Sequence, residues 1–314
     1  MGSFDPRSFI EEKVEWLKRE VGSKDAIVAL SGGVDSSVTA VLGFKAIGSR
    51  LKPIFLEDGF MRIGEPERVK SIFEKLGIEI RIYNVEDEFL EALRGVRDAE
   101  EKRKRFRDTF YKVFSRIARE LGVEIVLQGT IAADIVETRG GVKTQHNVLE
   151  QIGIDPLRSY GFKVLEPLRD LYKHQVRLLA RELSLPDEIV NRRPFPGPGL
   201  SIRIVGEVTR DKLSVIKRAT AIVDEELSDI KCFQAFPVLL DGMATGLRED
   251  GGRKYGYIIA LRVVESEDAM TARYVKLDWS RLESVRDRLI REIPEIARVL
   301  YDITDKPPAT IEFE

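Results

Sequence analysis

The strongest constraint on the fold is a glycine-rich turn that joins an apolar segment to a helical segment near the start of the chain. The apolar segment at residues 25–30 is typical of a strand buried in a parallel sheet, and a helical pattern follows at residues 36–46. Two glycines between them, Gly32 and Gly33, let the backbone approach an anion closely and turn its N–H groups towards it. The turn therefore predicts an anion-binding site directly after a buried strand.

The side chains of this turn suit a polyphosphate. Serine hydroxyls add hydrogen-bond donors, the helix that follows presents the positive end of its dipole, and Asp35 can hold the Mg²⁺ that accompanies a polyphosphate. The turn differs from the Walker motif, since no lysine follows the glycines, and from the GxGxxG dinucleotide fingerprint. The alternative is an ordinary connection from strand to helix. The predicted phosphate-binding residues are Ser31, Gly32, Gly33, Val34, Asp35, Ser36 and Ser37.

Strand and helix patterns alternate through the first part of the chain. Strands are predicted at residues 51–56, 78–85 and 124–128, and helices at residues 66–76 and 99–121. A further helix is predicted to begin at Pro6, with Asp5 as its N-cap. This alternation predicts an α/β fold with a doubly wound parallel sheet, in which ligands bind beyond the carboxyl ends of the strands.

A proline- and glycine-rich segment at residues 192–200 interrupts this alternation. Its three prolines and two glycines cannot lie inside a helix or a central strand. Beyond it, the chain shows no βαβ order, with strand patterns at residues 202–205 and 257–264 and helical patterns at residues 210–227 and 280–290. Because 314 residues exceed the usual size of one core, we predict two domains, residues 1–190 and a smaller α+β domain at residues 191–314.

The composition excludes several functional classes. A formal net charge of −2 argues against a protein that coats nucleic acid, and no apolar run has the length of a transmembrane helix. One cysteine and two histidines, His146 and His174, are too few for a disulfide framework, a zinc cluster or a Cys–His catalytic pair. Cys232 lies in an apolar stretch and is expected to be a buried small hydrophobic residue. We expect a cytoplasmic protein without nucleic-acid or membrane partners.

The pattern SGGxDS at residues 31–36 resembles the loop of the PP-loop ATP-pyrophosphatase family. Members of this family split ATP between its α- and β-phosphates and hold the pyrophosphate in this loop. The resemblance implies transfer of AMP to an acceptor oxygen and then displacement of AMP by a nitrogen or sulfur nucleophile, with ATP as co-substrate and Mg²⁺ as cofactor. Because amide-forming synthetases and tRNA-thiolating enzymes share the loop, it indicates the chemistry and not the substrate.

Five further segments resemble the ATP-pyrophosphatase subunit of the two-subunit GMP synthetase family. They follow in the family's order along nearly the whole chain, at residues 127–131, 166–170, 193–200, 265–272 and 301–314. The last of them contains KPPATIEFE, which is similar to the family's KPPATIEWE. The resemblance implies that XMP is adenylated with release of pyrophosphate, and that ammonia then displaces AMP to give GMP.

The C-terminal segment carries two prolines, Lys306 and Glu312. The prolines reduce the conformational freedom of the unbound segment, Lys306 can meet a nucleotide phosphate, and Glu312 can accept hydrogen bonds from xanthine N–H groups. The alternative from the residues alone is a terminal strand held on the sheet by one surface ion pair. Arg193, in turn, either binds a phosphate or belongs to an interdomain spacer. The resemblance implies an XMP site formed by Arg193, Lys306, Ile311 and Glu312.

Residues 133–147 are predicted to form a lid over ATP, because a glycine pair allows movement and a reactive adenylate needs shielding from water. Within it, Lys143 is predicted to neutralise the α-phosphate during attack, so that Lys143 and Asp35 are the catalytic candidates. Asp134 and Glu137 are candidates to hold Mg²⁺ or to position the purine, and a solvated polar loop is the alternative. The remaining predicted ATP contacts are Leu56, Gly129 and Thr130.

The chain offers no counterpart of the Cys–His–Glu triad with which many GMP synthetases hydrolyse glutamine. The resemblance therefore implies ammonia from a separate glutaminase subunit, and a homodimer formed through the C-terminal domain. The basic run at residues 101–107 is either a solvated helix face or, by resemblance, a neighbour of the nucleotide phosphates. Two alternative functions are a PP-loop enzyme acting on another acceptor, such as tRNA, and a non-catalytic nucleotide-binding protein.

Overall fold

The computed structural model of the protein describes residues 4–132, 134–135, 156–247, 251–267 and 269–314. The chain divides into two compact units, each formed by several stretches of sequence. The N-terminal unit comprises Met1–Glu57, Gly64–Val85 and Arg107–Arg192, and the C-terminal unit comprises Asp58–Ile63, Glu86–Phe106 and Arg193–Glu314. The last change of unit lies close to the predicted domain boundary, and the C-terminal unit also includes two segments that precede it.

A five-stranded parallel sheet forms the centre of the N-terminal unit. Its strands are β1 (Ala26–Leu30), β2 (Leu51–Glu57), β3 (Arg81–Asn84), β4 (Ile125–Leu127) and β5 (Lys163–Leu165). The strand order is β3-β2-β1-β4-β5, so the chain runs outwards from β1 on one side and from β4 on the other. This is the doubly wound α/β fold that the sequence predicts, and its topological switch point lies between β1 and β4.

Helices alternate with these strands along the chain. They are α1 (Pro6–Val21), α2 (Val34–Ile47), α3 (Glu65–Lys75), α4 (Glu86–Leu93), α5 (Ala99–Glu120), α6 (Pro156–Tyr160), α7 (Lys173–Glu182) and α8 (Asp187–Val190). The predicted N-cap of α1 is confirmed, because the Asp5 carboxylate accepts hydrogen bonds from the Arg7 N–H at 3.1 Å and the Ser8 hydroxyl at 2.7 Å. Helix α2 is apolar and fully buried at Val38, Ala40 and Leu42, which anchors the helix after the glycine-rich turn in the core.

The C-terminal unit contains a second sheet with two long helices. Besides α4 and the first part of α5, its elements are α9 (Arg210–Glu226), β6 (Gln234–Leu247), β7 (Arg253–Glu265), β8 (Arg273–Tyr274), α10 (Trp279–Glu292) and β9 (Ile296–Asp302). Strand β7 pairs antiparallel with β6 and β8 and parallel with β9. The mixed sheet without βαβ order confirms the smaller α+β fold of this part of the chain.

The prediction of a strand at residues 202–205 is wrong. Residues Gly199–Arg203 form a 3₁₀ turn, and Ile204 makes only an isolated bridge to Leu239. Every residue of the turn is buried, so the alternation of apolar side chains does not mark a half-buried strand here. Among the described residues, none of the helices is both long enough and apolar enough to cross a membrane.

Candidate functional site

The glycine-rich turn lies at the carboxyl end of β1 and leads directly into α2. Gly32 has a φ of +72°, a left-handed conformation that favours glycine, and Gly33 occupies the N-cap of α2. No described side chain caps this helix end, so the N–H groups of its first turn have no side-chain acceptor. The turn therefore presents main-chain donors and the positive end of the α2 dipole to an anion.

The serines of the turn bond mainly to the turn itself. The Ser36 hydroxyl donates to the carbonyl oxygen of Gly33 at 3.1 Å and accepts from the N–H of Ser31 at 3.3 Å, and the two serine hydroxyls lie 3.1 Å apart. Ser37 and Val34 are buried and belong to the core. The structure thus brings all seven predicted residues together in one turn, in which Ser31 is exposed and Gly33, Asp35 and Ser36 are half-buried.

Asp35 has one paired and one unpaired carboxylate oxygen. Lys173, the first residue of α7, donates from Nζ to Oδ2 at 2.5 Å, whereas Oδ1 is buried and has no hydrogen-bond partner among the described residues. The residues around Lys173 give no sign of this contact, because its partner lies 138 residues away in the sequence. An ammonium group and an open carboxylate oxygen therefore lie at the start of α2.

The predicted ATP contacts on β2 and after β4 lie at the same edge of the sheet. Leu56 is the second-last residue of β2, and Gly129 and Thr130 follow β4. A Cβ atom at Gly129 would lie 2.9 Å from the carbonyl carbon of Asp35, so this glycine permits close contact between the segment after β4 and the turn. Thr130 is fully buried and its hydroxyl accepts from Gln128 Nε2 at 3.0 Å.

Part of the predicted lid falls within the described residues. The Asp134 carboxylate accepts from the N–H of Ile131 at 3.0 Å, which is a local turn contact. Glu137, Lys143 and His146 lie outside the described residues.

In the C-terminal unit, Glu312 is buried in a network of side chains. Arg203 donates to both of its carboxylate oxygens at 3.0 and 3.1 Å, and Gln234 Nε2 donates at 3.0 Å. The Arg203 guanidinium in turn lies against the rings of Phe195 and Phe236, with distances to the ring centroids of 4.9 and 4.1 Å. The sequence gives no sign of this role for Arg203, because the pattern at residues 202–205 predicts a strand, whereas Arg203 lies in the buried 3₁₀ turn.

A second buried arginine holds the rest of the C-terminal segment. Arg262 on β7 donates to the carbonyl oxygens of Thr304, Thr310 and Ile311 at 3.0, 2.7 and 2.8 Å, and to the Asp302 carboxylate at 2.6 Å. One guanidinium therefore shapes the main chain of this segment across eight positions, from residue 304 to residue 311. Such a role has no local signature in the sequence around Arg262.

The other predicted XMP contacts have partners in the same unit. Lys306 Nζ donates to the carbonyl oxygen of Ala269 at 2.8 Å, and Ile311 is buried. Arg193 donates to the carbonyl oxygens of Leu227 and Ile230 at 2.6 and 2.7 Å, near the end of α9. Arg193 therefore anchors the proline-rich loop in this structure, while Lys306, Ile311 and Glu312 lie along one continuous segment.

A cleft of about 530 Å³ opens between this segment and the second sheet. Its lining includes Arg262, Asp302, Thr310 and Glu312, together with apolar side chains of β6 and β9. This combination of apolar walls and a few polar groups is typical of sites for small organic ligands.

Two further residues from the sequence analysis have altered acid–base properties. Burial lowers the pKa of the Lys102 ammonium, although the neighbouring Glu314 carboxylate opposes the shift, and Lys102 also donates to the carbonyl oxygen of Ile204 at 2.6 Å. Lys102 is thus a buried, paired residue of the basic run. Cys232 is half-buried, and burial raises the pKa of its thiol, which disfavours the reactive thiolate.

Two protein-family models match this chain, one in its N-terminal part and one in its C-terminal part. Residues 7–119 match the family model described as NAD synthase, and residues 221–313 match the model described as GMP synthase C terminal domain. Among solved structures, NMN synthetase from Francisella tularensis aligns with 16% identity, a TM-score of 0.48 and coverage of 93% of this chain and 96% of that chain.

Curated relatives match over the full length, and each of them is named as a subunit of GMP synthase (glutamine-hydrolyzing). The chain is 51% identical over 322 residues to the subunit of Methanopyrus kandleri, covering 99% of this chain and all of the relative. It is 50% identical over 316 residues to the subunit of the same name from Methanocaldococcus jannaschii, with coverage of 99% and 100%. The same subunit from Archaeoglobus fulgidus is also 50% identical, over 311 residues and with the same coverage. This chain therefore belongs to the family of GMP synthase (glutamine-hydrolyzing) subunits that these relatives represent.

Proposed function

We propose that this chain makes GMP from XMP, using ATP to activate an oxygen of the purine and ammonia to replace it. The oxygen on C2 of XMP attacks the α-phosphorus of ATP, so that an oxygen–phosphorus bond forms while the bond to the pyrophosphate oxygen breaks. Ammonia then attacks C2 and loses a proton. The C2–oxygen bond breaks, AMP leaves with that oxygen, and GMP remains.

The observation that carries this proposal is the full-length similarity to a subunit of GMP synthase. The similarity extends over the unit that contains the glycine-rich turn and the unit that contains the C-terminal segment. It favours GMP synthesis over a tRNA-modifying enzyme, because the part beyond the PP-loop unit is similar as well. The non-catalytic alternative is tested by the assay described below.

The geometry of the glycine-rich turn supports the ATP half of the reaction. Pyrophosphate develops additional negative charge as it leaves, and unengaged N–H groups at a helix N-terminus stabilise that charge without having to reorient. The Lys173 ammonium next to Asp35 adds a positive charge at the same helix end. The turn thus suits the stabilisation of the negative charge on the leaving pyrophosphate.

Asp35 fits the predicted role as a Mg²⁺ ligand. Its buried Oδ1 atom has no hydrogen-bond partner among the described residues, and an unpaired carboxylate oxygen is a ligand that Mg²⁺ prefers. No group of three metal-binding side chains is present in the described part of the chain, so ATP phosphates and water would complete the coordination. Mg²⁺ bound there would neutralise charge on the phosphates.

The C-terminal segment and its cleft support the XMP half. Lys306 is proposed to meet the XMP phosphate, and Ile311 and Glu312 the purine, with Arg193 holding the adjoining loop. Glu312 already bonds to Arg203 and Gln234, so a purine would join an existing network whose carboxylate has a defined orientation. Arg203 and Arg262 position this segment and are not proposed to touch the reacting atoms.

The remaining parts of the proposal come from the family. Lys143 is proposed to neutralise the α-phosphate, and Asp134 and Glu137 to belong to a lid over ATP. Ammonia is proposed to come from a separate glutaminase subunit, since the relatives are named as one subunit of a glutamine-hydrolysing enzyme. A homodimer through the C-terminal unit is supported by exposed apolar side chains on its sheet, namely Met243, Leu247, Tyr255 and Leu300.

Purified protein incubated with ATP, Mg²⁺, XMP and ammonium tests the proposal, with nucleotide chromatography to quantify GMP and AMP. We expect equal amounts of GMP and AMP, and neither when XMP is omitted. Release of AMP and pyrophosphate without GMP would indicate another acceptor. Absence of all three products at high ammonium concentration would contradict catalysis by this chain and favour a nucleotide-binding role.

A Lys306→Ala variant separates the two halves of the reaction. Loss of one charged hydrogen bond to the XMP phosphate is expected to raise the KM for XMP roughly tenfold, while the KM for ATP remains unchanged. An unchanged KM for XMP would contradict the proposed contact between Lys306 and the nucleotide phosphate.

A further inference from the structure

A buried ion pair lies directly against Gly32 of the anion-binding turn. Arg192 donates from Nη1 and Nη2 to the two carboxylate oxygens of Glu65, each at 2.5 Å. Both side chains are almost removed from solvent, with exposed fractions of 12% for Arg192 and 2% for Glu65. A Cβ atom at Gly32 would lie 2.3 Å from Glu65 Oε1 and 2.4 Å from Arg192 Nη1, so only glycine leaves room for this pair.

Arg192 also holds the main chain of the turn. Its Nη1 atom donates to the carbonyl oxygen of Gly32 at 2.8 Å. In a planar trans peptide the C=O and N–H bonds point in opposite directions, so fixing the oxygen of Gly32 fixes the direction of the Gly33 N–H. The distance from that nitrogen to the Ser31 hydroxyl is 3.4 Å, longer than an ordinary N–H···O bond, so the N–H can exchange this weak acceptor for an anion without a change in the orientation of the peptide.

Glu65 gives Arg192 its orientation. It is the first residue of α3, where its carboxylate lies at the positive end of the helix dipole. The carboxylate accepts hydrogen bonds from both terminal nitrogens of the guanidinium. In return, Arg192 cancels a buried negative charge that would otherwise repel a phosphate. Arg68 also reaches Glu65, at 3.2 Å, but no hydrogen bond from Arg68 to the turn is present among the described residues.

We propose that Arg192 is a positioning residue for the pyrophosphate site, which fixes the Gly32–Gly33 peptide so that the Gly33 N–H faces the anion. The inference rests on the proposed function for the identity of the anion as the pyrophosphate part of ATP. Arg192 acts through the peptide and does not touch the phosphate. A loss of Arg192 therefore lowers the affinity for pyrophosphate and ATP and leaves the affinity for XMP unchanged.

The test compares Glu65→Gln with Glu65→Gln/Arg192→Met. Arg192→Met alone would leave a buried carboxylate without its counter-charge and would destabilise the protein for that reason. In the Glu65→Gln background the second substitution leaves no carboxylate without its counter-charge. The two variants then differ in the hydrogen bond to Gly32 and in the positive charge of the guanidinium, and Arg192→Lys, which keeps the charge, separates these two contributions. Thermal melting first establishes that both are folded, and calorimetric titration with Mg²⁺ and inorganic pyrophosphate then measures affinity.

We expect Glu65→Gln to bind pyrophosphate within about threefold of the wild type, and the double variant about tenfold more weakly, as for the loss of one hydrogen bond of ordinary strength. Arg192→Lys keeps the positive charge and also serves if the double variant does not fold. Its ammonium lacks the rigid planar fork with which the guanidinium reaches the two Glu65 oxygens and Gly32 together, so it is expected to bind pyrophosphate several-fold more weakly than the wild type. Arg68→Met is the matched control with wild-type affinity, since it removes a partner of Glu65 and keeps the hydrogen bond to Gly32.

Wild-type pyrophosphate affinity in the Arg192 variants would overturn the inference, as would an equal loss of affinity for XMP. The proposed function is tested separately by GMP formation in the wild type. If the wild type binds pyrophosphate but forms no GMP, the proposed function is wrong. The role of Arg192 at the anion site is then still decided by the pyrophosphate affinities of the Arg192 variants. If the wild type forms GMP and the double variant binds pyrophosphate normally, the inference alone fails.

Discussion

The glycine-rich turn at residues 31–37 and the C-terminal segment at residues 301–314 are built in opposite ways. The turn exposes main-chain N–H groups, with small side chains that bond to the turn itself. The C-terminal segment is held from outside by long buried cations, with Arg203 bound to Glu312 and Arg262 bound to three carbonyl oxygens. One region depends on the absence of side-chain volume and the other on the presence of buried charge.

The difference follows from what each region is proposed to bind. Pyrophosphate is a compact anion whose oxygens accept from any nearby donor, so a close approach of the backbone is the main requirement. A purine nucleotide presents directional donors and acceptors on a flat ring, so a segment without regular structure must be held in one shape. We therefore expect function to be lost when a side chain is added in the turn. In the C-terminal unit, we expect function to be lost when one of the arginines that hold the segment is removed.

The largest effect on catalysis is expected for Gly32→Ala. A Cβ atom there meets Glu65 and Arg192 at less than 2.5 Å and a φ of +72° is strained for alanine, which together cost about 3 kcal/mol and reduce kcat/KM for ATP about 100-fold. Initial rates of GMP formation at varied ATP measure this. Gly33→Ala is the matched comparison, because Gly33 has a φ of −79°, and its loss should be tenfold or less. Equal losses in both variants would contradict the assignment of the steric limit to Gly32.

The next effect concerns charge in the C-terminal unit. Arg203→Met leaves the Glu312 carboxylate buried without its counter-charge, which costs roughly 3–5 kcal/mol and lowers the Tm by roughly 10 °C. The double variant Arg203→Met/Glu312→Gln has no unpaired buried charge and should regain most of the lost Tm. Its KM for XMP should be higher than that of the wild type, because the proposed purine contact at Glu312 has changed. Differential scanning calorimetry measures both variants. A single variant that melts like the wild type would show that the segment does not depend on this pair.

A smaller effect is expected for Arg262→Gln. The shorter amide cannot reach all three carbonyl oxygens and Asp302, so the segment loses its defined shape and the KM for XMP rises about tenfold with the KM for ATP unchanged. Arg262→Lys should give an intermediate KM for XMP. Arg298→Gln on β9 is the control, because Arg298 is exposed and its one hydrogen bond within the described part of the chain is to the Thr245 carbonyl oxygen at 3.5 Å. A parallel rise in both KM values would indicate general unfolding instead.

The smallest effect is expected for the reactivity of Cys232 in the C-terminal unit, which is measured on the unsubstituted protein. Burial raises the pKa of the Cys232 thiol and Arg193 opposes the shift, so the folded protein holds less thiolate at a given pH than the unfolded chain. Because the thiolate is the nucleophile, the midpoint of iodoacetamide reaction against pH should lie higher in native protein than in urea. A native midpoint at or below that of the unfolded chain would show that the charge of Arg193 outweighs burial there.

Local patterns predicted much of the N-terminal unit. The helix expected at residues 36–46 is observed at Val34–Ile47, and the strand expected at residues 51–56 is observed at Leu51–Glu57. These elements are recognisable because their apolar periodicity and terminal residues lie within a few positions of one another. The 3₁₀ turn at Gly199–Arg203 and the long strand β6 (Gln234–Leu247) have no clear pattern in the sequence. All five residues of the turn and the first six residues of β6 are buried, so neither segment shows the alternation of a half-buried strand.

The sequence by itself determined the anion-binding turn, the doubly wound order of strands and helices, and the segment that resembles an XMP site. Only the tertiary structure decided which charged side chains hold these parts in place. Arg192 meets Gly32 across 160 residues of sequence, and Arg203 meets Glu312 across 109. A glycine-rich turn is encoded by its own few residues, whereas an ion pair depends on where the packed core brings two distant side chains together.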